Sequence, residues 1–234
     1  MKAEGTLSDK IILAIDDTSI DRIRRLIAAT SPFITTYKIG SIAFTALGPG
    51  LIQEVRASGK DVFLDLKYLD IPHTVSKAVR QAVSLGVKMI TLHTLGGREM
   101  MERSVEASDN RAMLLGVTLL TSMDAEQAGA VGLRGDVHEI VGRLAALALG
   151  AGLHGLVASG QEGPRLRKEF GSGPVLVVPG VRPSEYGTGS DDQKRVVTPQ
   201  QAFASGADYI VIGRPVTESS DPARTLAEIN EGLR

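Results

Sequence analysis

Short apolar runs alternate along the chain with longer stretches in which apolar residues recur every three or four positions. The short runs are typical of strands covered by helices on both faces, and the longer spacing is typical of amphipathic helices. The pattern predicts eight strands, at residues 11–15, 35–39, 62–66, 89–93, 113–119, 155–158, 175–178 and 209–212.

Helices are predicted between these strands, most clearly at residues 20–29, 73–85 and 137–149. Gly86, Gly150 and Gly206 are expected to end helices shortly before the next strand. Regular alternation of strand and helix implies a parallel sheet. Eight such units in 234 residues predict an α/β fold of the (β/α)8 TIM-barrel type, with one domain over residues 1–234. An open doubly wound sheet is the alternative, but it usually has fewer strands.

Composition and charge narrow the range of partners. The net charge is −1, so no overall field draws the chain to nucleic acid or to an anionic membrane, and any phosphate site has to be local. The absence of cysteine excludes disulfides, zinc–thiolate sites and thiol nucleophiles. Residues 1–10 are polar, and no apolar run approaches the roughly 20 residues that span a bilayer. We therefore expect a cytoplasmic protein without nucleic-acid or membrane partners.

Charged residues gather where the predicted strands end, which is where barrel enzymes carry their active sites. The first strand leads to Asp16, the second ends near Lys38, and the third is followed by the sequence DLKYLDIP at residues 65–72. Asp65 and Lys67 are two positions apart, so on a strand both side chains face the barrel interior. Such charges are expensive to desolvate, which favours a functional site. A structural ion pair is the alternative.

A second group of residues suggests a phosphate site. The sequence PGVR at residues 179–182 follows the seventh strand, and Gly213 and Arg214 follow the eighth. Barrels commonly bind phosphate in these two loops, where glycine lets backbone N–H groups approach the anion and arginine adds charged hydrogen bonds. The irregular segment 183–194 lies beside them, and both a functional loop and an ordinary surface loop fit it.

The sequence DLKYLDIPHT at residues 65–74 resembles the signature of the orotidine 5′-phosphate decarboxylase family, particularly its bacterial members. LAID at 13–16, YKIG at 37–40, LTS at 120–122, PGVR at 179–182 and IGRP at 212–215 agree with that family in the same order. The resemblance extends from about residue 11 to residue 233. Leu69, His73 and Val178 depart from the usual pattern, and none of them belongs to the acid–lysine array.

The resemblance implies roles for the charged residues. Lys67 would donate a proton to C6 of the pyrimidine once carbon dioxide leaves, and Asp65 would lie beside the departing carboxylate. Lys38 and Asp16 would hold the ribose hydroxyls, with Lys38 also part of the charged array.

The same resemblance implies further contacts to the substrate, among them the pyrimidine contact of Thr121 and the phosphate contacts of the last two loops. These residues are Thr121, Pro179, Arg182, Gln193, Gly213 and Arg214. The family is dimeric, so a homodimer is expected in which Asp70, Ile71 and Thr74 reach into the partner's active site.

No cofactor is expected, because the sequence carries no cofactor motif, and no metal site is expected either. Decarboxylation at C6 leaves a carbanion without a good electron sink, so a fixed cation in a water-shielded site is the remaining means of stabilising it. One rival is a Mg-dependent phosphosugar barrel of the 3-keto-gulonate 6-phosphate decarboxylase or hexulose phosphate synthase kind, which usually has glutamate near the position of Lys38. The other rival is a non-catalytic nucleotide-binding homologue.

Overall fold

A computed structural model describes residues 7–183, 186 and 196–233 of the chain. Within these residues the strands form one closed barrel in which each strand pairs in parallel with its neighbours in sequence, and β8 pairs with β1. The predicted (β/α)8 barrel is therefore confirmed. The strands are β1 Ile11–Ile15, β2 Thr36–Gly40, β3 Asp61–Tyr68, β4 Met89–His93, β5 Met113–Val117, β6 Gly155–Val157, β7 Val175–Val178 and β8 Tyr209–Ile212.

Helices surround the barrel in the described part of the chain. They are α1 Leu7–Lys10, α2 Ile20–Thr30, α3 Ser41–Leu47, α4 Pro49–Ala57, α5 Pro72–Ser84, α6 Gly97–Ser108, α7 Ala125–Ala130, α8 Val137–Gly150, α9 Gly163–Phe170, α10 Pro199–Ala204, α11 Arg214–Thr217 and α12 Pro222–Glu231. A short 3₁₀ helix, Thr94–Gly96, precedes α6. None of the helices in this part of the chain is long and apolar enough to cross a membrane.

The core has two layers because successive strand residues point to opposite faces. Residues such as Leu13, Ile39 and Leu64 pack outward against the helices, and residues such as Ile12 and Phe63 fill the barrel interior. In β3 this alternation directs Val62 and Leu64 outward. It therefore directs Asp65 inward, as the sequence predicted. Lys67 also faces the interior, but from an irregular part of the strand.

Strand β3 departs from a regular strand near its end. Leu64 pairs with Ile90 and Tyr68 pairs with Leu92, so four residues of β3 span the distance covered by two of β4. Lys67, inside this bulge, has a φ of 49°, in the left-handed region that side chains with a Cβ rarely adopt. The bulge carries the strand to Tyr68, past the predicted end at residue 66.

Helix α8 ends at Gly150, as predicted, but another glycine makes the left-handed turn after it. Helix α8 includes Gly150, and it is Gly152 that has a φ of 87° beyond the helix. Gly86 follows the C-cap of α5 in the same way, with a φ of 75°. The left-handed turn after these helices needs glycine one position beyond the C-cap, and Gly150 lies too early in the chain to provide it.

Candidate active site

Three charged side chains from β2 and β3 meet at the mouth of the barrel. Lys67 Nζ lies 2.9 Å from Asp65 Oδ1, and Lys38 Nζ lies 3.5 Å from Asp65 Oδ2. Lys38 Nζ is also 3.9 Å from Oδ1 of Asp16, which follows β1. The structure thus brings together the four charged residues that the sequence predicted at this rim, with Asp65 between two ammonium groups.

The neighbouring lysines determine the charge state of Asp65, whose side chain is only 12% exposed. Burial by itself raises the pKa of this carboxyl group, because a buried carboxylate loses its hydration. The charges of Lys38 and Lys67, with hydrogen bonds from Lys67 and Thr91, outweigh burial and lower the pKa below its ordinary value of 3.8. Asp65 is therefore a carboxylate at neutral pH.

Gly40, the last residue of β2, has no side chain, and this leaves space for the charged groups of Lys38 and Asp16. A Cβ at this position would lie 3.0 Å from Lys38 Nζ and 3.2 Å from Asp16 Oδ1. A larger residue here would therefore crowd both groups and shift the ammonium or the carboxylate by a few tenths of an ångström.

Thr91 of β4 is fully buried beside the array. The backbone N–H of Lys67 donates a hydrogen bond to Thr91 Oγ1 at 2.8 Å, and Thr91 Oγ1 donates one to Asp65 Oδ1 at 3.0 Å. The sequence did not single out Thr91, because this residue lies in the middle of β4 and not at its end. Side chains two positions apart on a strand share a face, so Thr91 lies on the same face of β4 as His93, and this spacing could have indicated it.

His93, at the end of β4, is partly buried next to the array. Burial lowers the pKa of its imidazole, and the positive charge of Lys67 lowers it further. The side chain is therefore neutral at pH 7. Its Nδ1 accepts a hydrogen bond from the backbone N–H of Leu95 at 3.4 Å.

A cavity of about 270 Å³ extends from the charged array to the loops after β7 and β8. Nine of the predicted site residues line it: Asp16, Lys38, Asp65, Lys67, Thr121, Pro179, Arg182, Gly213 and Arg214. Gln193 lies outside the described residues. The charged array and the predicted phosphate loops are thus parts of one cavity.

The far end of the cavity is cationic. Partial burial, followed by repulsion from Arg214, lowers the pKa of the Arg182 guanidinium. Arg182 also lies over the ring of Tyr186, 5.6 Å from its centroid, and the hydroxyl of Tyr186 donates a hydrogen bond to Glu218 at 3.1 Å. Two arginines close enough to repel each other are suited to share a doubly charged anion.

Asp70, Ile71 and Thr74 do not line this cavity of the described chain; all three are exposed. Ile71 is 66% exposed, and the neighbouring Leu69 is 52% exposed. Ile42 after β2 and Leu95 after β4 are also large, exposed and apolar. These four side chains follow three adjacent strands, so they lie along one sector of the barrel rim, which we call the apolar rim.

In the described part of the chain, no group of three or more histidine or acidic side chains is arranged to hold a metal ion. The expectation that the protein needs neither metal nor cofactor stays a prediction.

The fold and the site together define a class: a (β/α)8 barrel with a lysine–aspartate array at one end of its cavity and two arginines at the other. Residues 9–229 match the profile of the orotidine 5′-phosphate decarboxylase / HUMPS family, and the chain belongs to that family.

Named relatives agree with this assignment. The chain is 44% identical to an orotidine 5′-phosphate decarboxylase of Coxiella burnetii over 230 residues, covering 96% of this chain and 97% of that one. It is 47% identical to one of Pelobacter propionicus, covering 93% and 92%. Among solved structures, an orotidine 5′-phosphate decarboxylase from Lactobacillus acidophilus is similar with a TM-score of 0.83 at 28% identity, covering 97% and 99%.

Proposed function

We propose that this protein decarboxylates orotidine 5′-phosphate to uridine 5′-phosphate, the last step of de novo pyrimidine nucleotide synthesis. The observation that carries the proposal is the position of Asp65 between Lys67 and Lys38 at the mouth of the barrel. Membership of the family and relatives of that name over nearly the whole chain support the same activity.

Lys67 is proposed as the proton donor. When the bond from C6 to the carboxylate breaks, its electron pair stays on C6 and carbon dioxide leaves. Lys67 Nζ then donates a proton to C6 and regains one from solvent, so each turnover consumes one proton. A fixed ammonium group stabilises the developing carbanion without a cofactor.

Asp65 is proposed to lie beside the substrate carboxylate and to hold Lys67 in place through the 2.9 Å contact between Oδ1 and Nζ. Lys38 and Asp16 would hold the ribose hydroxyls, and Thr121 and Pro179 would contact the pyrimidine end of the nucleotide. All of these residues line the same cavity.

Arg182 and Arg214 are proposed to bind the 5′-phosphate together with the backbone N–H of Gly213. Burial, and after it repulsion from Arg214, lowers the pKa of Arg182, and a phosphate between the two guanidinium groups would favour their charged forms. Binding energy from this remote group can be used to organise the charges around C6. Gln193 is proposed as a further phosphate ligand on the basis of the family motif alone.

A homodimer is proposed as the working form, with Asp70, Ile71 and Thr74 contributed across the interface. The apolar rim supports it, because clustered exposed apolar side chains mark protein interfaces. The cytoplasmic location expected from the polar N-terminus stays a prediction.

The experiment that tests the activity is an absorbance assay for loss of orotidine 5′-phosphate by the purified chain, run with and without EDTA. We expect turnover that EDTA does not change. Turnover that EDTA abolishes would favour the Mg-dependent phosphosugar rival. Binding of uridine 5′-phosphate in calorimetry without any turnover would favour the non-catalytic rival.

A further inference from the structure

We propose that Thr91 is a positioning residue, which fixes the bulge of β3 and through it holds the Lys67 ammonium against Asp65. Its effect on catalysis rests on the function proposed above. Its effect on the geometry and charge of the Lys67–Asp65 pair is independent of that function.

Three hydrogen bonds form a closed ring. The Lys67 backbone N–H donates to Thr91 Oγ1, Thr91 Oγ1 donates to Asp65 Oδ1, and Lys67 Nζ donates to the same Oδ1 at 2.9 Å. A backbone N–H can only donate and an ionised carboxylate can only accept, so the direction of every bond is determined. The Thr91 hydroxyl therefore connects the Lys67 backbone N–H to Asp65 Oδ1, the atom that the Lys67 ammonium also contacts.

The bulge explains why the strand needs this hydroxyl. Between Leu64 and Tyr68 the register of β3 against β4 shifts, and the Lys67 N–H bonds to the Thr91 side chain. A buried N–H without a partner is strongly disfavoured, and the left-handed φ of Lys67 is disfavoured too. The Thr91 hydroxyl satisfies the N–H and so helps to hold the strained conformation in place, and its β-branched side chain has restricted χ1 freedom.

The position of Nζ depends on this arrangement. A lysine side chain has four rotatable bonds, so its ammonium is held only by what its backbone direction and its contacts allow. The hydrogen bonds of Thr91 fix the backbone of Lys67, from which the side chain starts, and the carboxylate of Asp65, which its ammonium contacts. Outer partners that orient the ligands of metal sites typically change affinity or activity by about 10- to 100-fold when they are removed, and we expect an effect of the same order here.

A purely structural role is the alternative, and the chain offers a matched control for it. Thr94 is also fully buried, and its Oγ1 donates to the backbone carbonyl of Val117 at 2.9 Å. Neither threonine lines the cavity, and the Thr94 hydroxyl bonds to the backbone of β5 and not to Asp65 or Lys67. Loss of this hydroxyl removes a buried hydrogen bond of similar length without touching the lysine–aspartate array.

The kinetic test compares Thr91→Val, which keeps the shape and removes the hydroxyl, with Thr91→Ser and Thr94→Val. For Thr91→Val we expect kcat for orotidine 5′-phosphate to fall about 10- to 100-fold, with KM changed by less than about threefold. Thr91→Ser should recover most of kcat, and Thr94→Val should lower the melting temperature while leaving kcat unchanged. If Thr91→Val does not fold, the Thr91→Ser and Thr91→Ala pair isolates the hydroxyl in the same way.

A second readout is independent of turnover. Asp65 can be titrated through its carboxyl ¹³C signal, and loss of the Thr91 hydrogen bond removes one of the interactions that lower its pKa. We expect a higher pKa of Asp65 in Thr91→Val and an unchanged one in Thr94→Val. If the wild-type chain shows no turnover, the proposed function fails, and this titration still decides the role of Thr91.

The inference is overturned if Thr91→Val has the kcat of the wild type, or if Asp65 titrates as in the wild type. Equal losses of kcat in Thr91→Val and Thr94→Val, without recovery in Thr91→Ser, would also overturn it, because they would indicate a general loss of packing.

Discussion

At the scale of single residues, Lys67 combines an unfavourable backbone conformation with a specific side-chain position. Besides glycine, only Lys67, Asp109 and Asn110 have a positive φ in the described part of the chain. Asp and Asn tolerate this region because their short polar side chains can bond locally, but lysine has no such compensation. Backbone strain held in place by surrounding contacts is characteristic of functional sites.

The strain at Lys67 predicts an unusual order of stability among variants. Lys67→Gly should be more stable than Lys67→Ala by about 1 kcal/mol, because glycine adopts a positive φ without steric conflict. The measurement is urea unfolding of both variants. Lys88, which has no positive φ and pairs with Asp61 on the surface, is the control, and there alanine should be the more stable variant. A Lys67→Ala protein that matches or exceeds Lys67→Gly would contradict the account.

The lowered pKa of Asp65 predicts a pH dependence of stability. A carboxyl group whose pKa is lower in the folded state than in the unfolded state adds stability above its ordinary value of 3.8. That contribution is lost as the pH falls through the folded-state pKa. The difference in unfolding free energy between the wild type and Asp65→Asn should therefore shrink as the pH falls below about 5. A difference that stays constant or grows under acid would contradict the pairing of Asp65 with the two lysines.

At the scale of elements, the strands were predictable because a parallel barrel buries both faces of each strand. Residues 11–15, 89–93, 175–178 and 209–212 were predicted with the bounds of β1, β4, β7 and β8. Strand β5 ends at Val117, two residues before the predicted end, because its apolar pattern continues beyond its pairing with β6. An apolar pattern shows which residues are buried. Where a strand ends depends also on which residues the neighbouring strand pairs with, and the apolar pattern does not contain that information.

The charged part of the site was predictable for a related reason. Asp16, Lys38, Asp65 and Lys67 follow or end strands, and topology brings the ends of parallel strands together. The bulge and Thr91 were not predicted, because a register shift depends on the relation between two strands. Threonine is also a common residue within strands, so its presence in β4 carries no functional signal by itself.

Arg214, which follows β8, is expected to act on the phosphate alone. Arg214→Ala should lower kcat/KM for orotidine 5′-phosphate by about 10²- to 10³-fold. The same change should leave the much slower turnover of orotidine, which lacks the phosphate, unaffected. Arg224→Ala on α12, where Arg224 pairs with Glu228, is the control and should change neither. Equal losses on both substrates would remove the phosphate assignment.

At the scale of the whole molecule, the apolar rim is the feature that a single chain does not explain. Ile42, Leu69, Ile71 and Leu95 are each at least 46% exposed and lie beside the mouth of the barrel. Asp70 lies among them, and its Oδ1 accepts a hydrogen bond from the Ile71 backbone N–H. A twofold dimer through this surface would bury the apolar groups and bring Asp70 of each chain near the other's site.

Mixed dimers test the shared site. Lys67→Ala and Asp70→Ala proteins should each be nearly inactive, but mixing them with subunit exchange should restore roughly a quarter of wild-type activity, because half of the dimers then contain one intact site. Lys67→Ala mixed with Asp65→Asn is the control, since both residues belong to the same chain's site and no intact site can form. Absence of recovery in the first mixture, with exchange verified by mass, would contradict the shared site.

The central claim is that the Lys67 ammonium supplies the proton to C6. The most direct measurement is the decarboxylation rate of orotidine 5′-phosphate by Lys67→Ala, beside calorimetric binding of uridine 5′-phosphate and the Lys88→Ala control. We expect no detectable turnover in Lys67→Ala, with the nucleotide still bound and Lys88→Ala fully active. Substantial decarboxylation by Lys67→Ala would contradict that claim.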